Sequence, residues 1–426
     1  MRRTPSARLC CCLTVTAALA AALPAPAHAA VLATRLVSVT PDGTQGEKDS
    51  LLPSADARGR FVVFESQASN LASDDDNGQY DVFLVDRATG SLELISRGAD
   101  GRPLPGSSGG SQISADGRFV TYYSWTGTSA EPPRVYVYDR AARATTPVPT
   151  GAAGGTSPSI SGDGRYVTFK SRSEDLVPDA NGWYEDIFVH DRQTGATTIA
   201  SRAADGAQGD RSSSRGVITA DGRHLAFASD ATNLVPGDTN DTEDIFLKDL
   251  TTGAVQRISV TGDGSQGTDF WIYSDPSVSA DGRYVGYATT AAFAPDDTND
   301  DIDVYLHDTG TGETTLVSRG HDGQPLDAGW ASSPAVSGDG GSIAFWSSSG
   351  QVVADDTNLA GDLFVYDRAG GVTERVSVTG SGAQADGADS GVLSHDGRLV
   401  FYRAGAANLV PDDTNGADDI FVTSRS

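Results

Sequence analysis

Five stretches of this chain repeat the spacing D-x-N-x-x-x-D. They are Asp75, Asn77 and Asp81; Asp238, Asn240 and Asp244; Asp297, Asn299 and Asp303; Asp356, Asn358 and Asp362; and Asp413, Asn415 and Asp419. Oxygen-bearing side chains at alternating positions suit Ca2+, a hard cation that takes roughly six to eight oxygen ligands. Asp297, Asn299, Asp301 and Asp303 make the best single candidate set. The spacing is not that of an EF-hand loop, which needs a glycine at its sixth position and a glutamate at its twelfth. The same side chains also accept bonds from backbone N–H groups two residues on, and so shape turns without metal. Both readings, Ca2+ and a metal-free turn, stand. A related stretch carries Asp179, Asn181, Glu185 and Asp186, and the segment 127–133 carries no such pattern.

Nucleophilic chemistry has less support. All three cysteines, Cys10, Cys11 and Cys12, fall in the first 30 residues, so the rest of the chain has no thiolate to offer. Gly106-Ser107-Ser108-Gly109-Gly110 satisfies G-x-S-x-G, but the expected context is a Gly/Ser-rich connector and not a strand–elbow–helix. His190 and His307 hold the same place in their units, where others have Val85, Tyr138, Lys248 and Tyr366. Such variety predicts a surface or edge position, and the histidines show no metal-ligand spacing.

The elements that must position these groups come from a repeat. Gly59, Gly117, Gly164, Gly222, Gly282, Gly340 and Gly397 recur at spacings of 58, 47, 58, 60, 58 and 57, mostly as Asp-Gly-Arg. Around Gly282 the pattern predicts four strands: a at 277–279, b at 283–289, c at 303–307 and d at 314–318. Asp-Gly is a favoured two-residue hairpin turn, and no segment sustains a helical apolar period. Seven units of four antiparallel strands predict an all-β, seven-bladed β-propeller over residues 31–426. The last unit ends on a strand c, 419–422, and has no strand d. The segment 35–39 matches the d strand 257–260, so the N-terminal strand is expected to close the last blade.

In such a blade loops b–c and d–a leave one face, and tight turns leave the other. The long loops are the functional candidates, with the mouth of the central channel. Trp125 is expected at the end of a strand b, Trp183 and Tyr184 in a b–c loop, and Trp271 and Trp330 in d–a loops. Exposed tryptophan beside carboxylates could stack on carbohydrate or anchor a protein partner, or each could pin its own loop.

The stretch Ser279-Ala280-Asp281-Gly282-Arg283-Tyr284-Val285-Gly286-Tyr287, followed by Asp303-Val304-Tyr305-Leu306 and Asp308, resembles the repeats of TolB-type β-propellers. The resemblance spans residues 31–426 and implies the propeller fold. TolB itself has an extra α/β domain before its propeller, which has no counterpart here, so its role in a cell-envelope complex is not implied.

Residues 1–30 read as a secretory leader. Arg2, Arg3 and Arg8 precede the apolar run 9–23, and Ala27-His28-Ala29 fits a cleavage pattern ending at Ala29 or Ala30. The run is shorter than the roughly 20 residues a membrane span needs. With 57 acidic against 31 basic residues the net charge is −26, which opposes nucleic acid and anionic membranes. The reading is an exported, monomeric binding module that takes an extracellular or envelope protein, or a polysaccharide, on its acidic long-loop face. The alternative is a polysaccharide lyase or glycosidase working through carboxylates on that face, with a divalent cation.

Overall fold

The computed structural model describes residues 33–128, 130–178, 182–268, 271–358 and 360–425. The leader reading, and the pair Asp179 and Asn181, lie outside these residues. The chain forms seven four-stranded antiparallel sheets arranged in a ring. Blades 1 to 6 cover 50–94, 107–147, 156–199, 213–257, 277–316 and 331–375. Blade 7 takes its inner three strands from 391–424 and its outer strand from Ala33–Leu36, which pairs antiparallel with Asp419–Ser424. The closure expected from the sequence is therefore present. One 3-10 turn, Ser69–Leu71, is the only helical element among the described residues, and no helix there is long and apolar enough to cross a membrane.

The repeated S-x-D-G signature builds the turn face. In blade 5 the Ser279 hydroxyl accepts the Tyr284 N–H at 3.0 Å and donates to Asp281 at 2.7 Å, and Asp281 accepts the Arg283 N–H. Arg283 then reaches Asp308 with two nitrogens, each at 3.0 Å, so the start of strand b is tied to the end of strand c. Glycine is required at such a turn for two reasons. Gly164 has φ +69°, and a Cβ there would stand 2.1 Å from Phe119 of the preceding blade.

Each blade stacks one aromatic ring of strand b on one of strand c, from Phe64 on Phe83 at 5.7 Å round to Tyr402 on Phe421 at 6.0 Å. These rings and their Val, Ile and Leu neighbours form the core as layers between successive blades; Val62, Phe64 and Phe83 of blade 1 pack with Phe401, Ile420 and Val422 of blade 7. Burying such side chains supplies about 1.5–3 kcal/mol each, and here it holds blade to blade.

Three expectations need correction. In blade 5 strand a is Ser277–Val278 and strand d is Glu313–Leu316, because Ser318 turns its hydroxyl to Asp303 instead of continuing the ladder. The G-x-S-x-G segment is not connector: Ser107–Ile113 is strand a of blade 2. His190 and His307 are buried, not at the surface; each places Nδ1 2.9 Å from a threonine hydroxyl on strand d. The same flank is covered by the blade before, where Lys248 donates to the Arg202 carbonyl at 2.6 Å.

Candidate functional site: the long-loop face and the channel mouth

Strand a lines the central channel in every blade, and in five blades it carries a bulge. The first residue of each bulge is left-handed: Leu52, Gly110, Ser157, Arg215 and Ser333, with φ between 49° and 61°. Four of these are not glycine, so the backbone holds strain at the channel wall, a place where strain marks sites more often than cores. The wall encloses about 720 Å3 and carries Glu65, Tyr123, Arg215, Tyr273 and Asp275.

Glu65 is the penultimate residue of strand b in blade 1. By register its counterparts are Tyr123, Lys170, Ala228, Ala288, Trp346 and Arg403. Elsewhere strand b repeats one apolar pattern; at this level it changes chemistry in almost every blade. Glu65 is 6% exposed and accepts the Ser111 N–H at 3.2 Å, and burial pushes its carboxyl up to about 7. Gly109 makes the room: a Cβ there would lie 2.8 Å from Glu65 Oε2. Burial, and then the Glu65 charge, raise the Tyr123 hydroxyl. Across the channel Asp275 is open to solvent yet walled by protein, which raises its carboxyl, while Arg215 and Lys170 pull it back. Glu243 behaves alike, raised by burial and moderated by Arg215 and a 3.1 Å bond from Ser214. Lys170 pairs with Glu185 at 3.0 Å, and Arg403 pairs with Asp389 and Asp418.

The tryptophans lie where the repeat puts them. Trp183 is 83% exposed, Trp271 71%, Trp330 56% and Trp125 46%, with Tyr184 beside Trp183. Trp271 and Trp330 occupy equivalent places in the d–a loops of adjacent blades 5 and 6, each just before a residue that pairs with the end of strand b; their backbone N–H groups donate to the Thr290 and Ser348 hydroxyls. Trp125 and Trp183 belong to adjacent blades 2 and 3, so the four form two pairs separated by other blades. Trp346, which the sequence reading left aside, is half-buried at the channel mouth and lines a hollow of about 460 Å3 with Gly361, Asp386 and Asp389. A repeat alignment that sought the most variable strand-b position would have found it.

The Asp/Asn loops share one hydrogen-bond plan. The last aspartate accepts the hydroxyl of a serine just past strand d: Ser96 on Asp81, Ser259 on Asp244, Ser318 on Asp303, Ser377 on Asp362 and Ser38 on Asp419. The asparagine donates to a d–a loop carbonyl in all five, as Asn299 does to Leu326 at 2.8 Å. Its Oδ1 accepts the N–H two residues on, at 2.7 Å for Asn77. The asparagine oxygen is thus engaged in the turn. Asp301, half-exposed, gives its N–H to Asn299 and raises Asp303 by its charge. Around the first aspartate the blades differ. Arg257 Nη1 lies 3.2 Å from Asp238 and 3.3 Å from Asp244. Arg375 Nη1 lies 3.5 Å from Asp356 and 3.7 Å from Asp362. Tyr305 donates to Asp297. Among the described residues no group of three or more His, Cys, Asp or Glu side chains is placed to hold an ion.

Burial pushes Asp81, Asp303, Asp362 and Asp419 up to about 6. A carboxyl raised in the fold stabilises it fully below its unfolded value of about 4 and loses that contribution as pH climbs through the folded value. Asp86 runs the other way: its bond from Arg60 lowers it to about 2, so its contribution fades as pH falls below about 4. The melting temperature in chelator should therefore peak between about pH 4 and 5 and fall towards pH 7. Glu65→Gln should flatten the part of that fall above about pH 5. A midpoint that rises steadily from pH 5 to 8 would contradict the assignment.

No family model matches the chain, and no curated protein does. Similarity to solved structures is confined to the fold. The β-propeller domain of the Trilobed protease from Pyrococcus furiosus, described as having an open velcro topology, is 11% identical with a TM-score of 0.54, covering 89% of this chain and 98% of that one. An acylaminoacyl peptidase from Pyrococcus horikoshii is 14% identical with a TM-score of 0.51 over 83% of this chain, which spans about half (48%) of that peptidase. TolB from Acinetobacter baumannii is 16% identical with a TM-score of 0.40, covering 75% and 77% of the two chains. The chain is thus a β-propeller by fold, with its ring closed by its own N-terminal strand.

Proposed function

We propose that this chain is an exported binding module that captures an extracellular or envelope protein, or a polysaccharide, on its long-loop face. The observation that carries the reading is the exposure of Trp183, Trp271 and Trp330 on that one face. Large rings left in water are costly unless a partner covers them, and such rings are the residues most often found anchoring partners. The channel mouth, with its mixed Glu65, Tyr123, Arg215 and Asp275 lining, supplies the polar groups that would orient what the rings hold.

The triple variant Trp183→Ala, Trp271→Ala, Trp330→Ala tests it. Capture from envelope extracts and binding to a polysaccharide panel should weaken by about tenfold or more, with the melting temperature nearly unchanged. Unchanged capture would sink the proposal. An enzymatic reading draws on one observation, the placement of a buried Glu65 carboxyl in the wall of a channel that also holds Asp275. It requires polysaccharide cleavage that Glu65→Gln abolishes.

A further inference from the structure

Blades 4 and 6 show what the D-x-N-x-x-x-D loop needs at its centre. There the first and last aspartates converge on a single guanidinium nitrogen, from Arg257 in one and Arg375 in the other. Both arginines end strand d and stand two residues before the serine that bonds the last aspartate. In blades 1 and 7 that position is Leu94 and Leu36, and the tyrosine that serves Asp297 in blade 5 is replaced by Phe83 and Phe421. The aspartates are kept but the cationic or hydroxyl group is gone.

The consequence is visible in the first aspartate. Asp75 is 6% exposed and Asp413 7%, and no side chain or well-formed hydrogen bond meets either carboxylate; the Asn77 or Asn415 backbone N–H gives each only a weak pull. Each stands near enough to the last aspartate of its loop, Asp81 or Asp419, to raise that group by its charge. Arg97 spends both terminal nitrogens on Asp74 and reaches blade 1's pair only through its field, not through a bond, and blade 7 has no such arginine. Two buried carboxylates with no cation bonded to either are costly to hold away from water unless a cation or a proton joins them.

We infer that blades 1 and 7 each bind a hard divalent cation between the two aspartates, Asp75 with Asp81 and Asp413 with Asp419, in the place that arginine fills in blades 4 and 6. The carboxylates supply the charge, and backbone carbonyls and water complete the shell, as such ions accept. The two loops flank the seam of the ring. Gly46 and Gln45, just after the closing strand, already bond the blade 7 loop through Asn415, Asp412 and Thr414. Cation binding would therefore tighten the seam, whichever partner the face takes.

The test uses the full exported chain, Ca2+ and Mg2+ in separate arms, and equilibrium dialysis beside thermal melting. Two ions per chain are expected, with a midpoint about 5 °C above that in chelator at saturating ion. Asp75→Asn with Asp413→Asn should bring the count to zero, while Asp238→Asn should leave it at two. Leu94→Arg should lower the count to one and raise the midpoint in chelator. A count of zero in both arms overturns the inference. So does a count near five, which would make every loop a site, or one that Asp75→Asn with Asp413→Asn leaves unchanged.

Discussion

A chain that begins after Ser38 is expected to lose on the order of 5 kcal/mol of stability and to aggregate on concentration. The lost segment pairs Ala33–Leu36 with Asp419–Ser424, and the Val37 N–H bonds Ile420 at 2.7 Å. Val37 is 3% exposed in the layer between blades 7 and 1, worth about 1.5–3 kcal/mol of apolar burial. Ser38 adds a separate term. Its hydroxyl donates to Asp419 at 2.5 Å and accepts the Ile420 N–H at 3.0 Å, and both partners are buried. Leaving buried polar groups unmet costs about 1–3 kcal/mol each. Asp419–Ser424 would also become an open edge strand, a template for another chain. Urea unfolding and light scattering on the full and shortened chains would measure both effects. Midpoints within error of each other would mean that the ring is held without its closing strand.

That closure was legible in the sequence because it is written twice, as a missing last strand and as a surplus first one. The blade count was legible because Asp-Gly turns recur with a period that only a ring or stack can use. The tryptophans were legible because they break the repeat. What escaped was chemistry that depends on register across strands. Ser96, Ser259 and Ser377 look like ordinary strand residues until their distance from the Asp of strand c is known. Leu94 against Arg257 reads as simple drift between repeats, although it decides whether a buried carboxylate has a partner. Glu65 was invisible for the same reason: its carboxyl is raised by burial against strand a of the next blade, whose backbone N–H groups only partly offset it, and not by its own segment. His190 and His307 were misread because the variety at their position reflects several ways of filling one interblade space, not exposure.

Asp362→Ala should cost about 3–5 kcal/mol, the largest single-residue loss expected in the long-loop layer. The Arg375 side chain is 6% exposed, and its Nη1 lies between Asp356 at 3.5 Å and Asp362 at 3.7 Å. Asp355, the third partner at 3.3 Å, is largely exposed and screened, so it cannot carry the guanidinium alone. Removing Asp362 also strips the acceptor from the Ser377 hydroxyl, 2.5 Å away, which receives the Leu363 N–H that starts strand c. Arg375→Leu should cost less, because it recreates the arrangement of blades 1 and 7, two aspartates that a cation or proton can join. The double variant should then be clearly more stable than the sum of the single losses, since no unpaired guanidinium is left behind. A double-mutant cycle in urea, run in chelator, gives the coupling directly. Additive losses would show that the guanidinium and the carboxylate act independently, and would remove the internal comparison on which the cation sites of blades 1 and 7 are built.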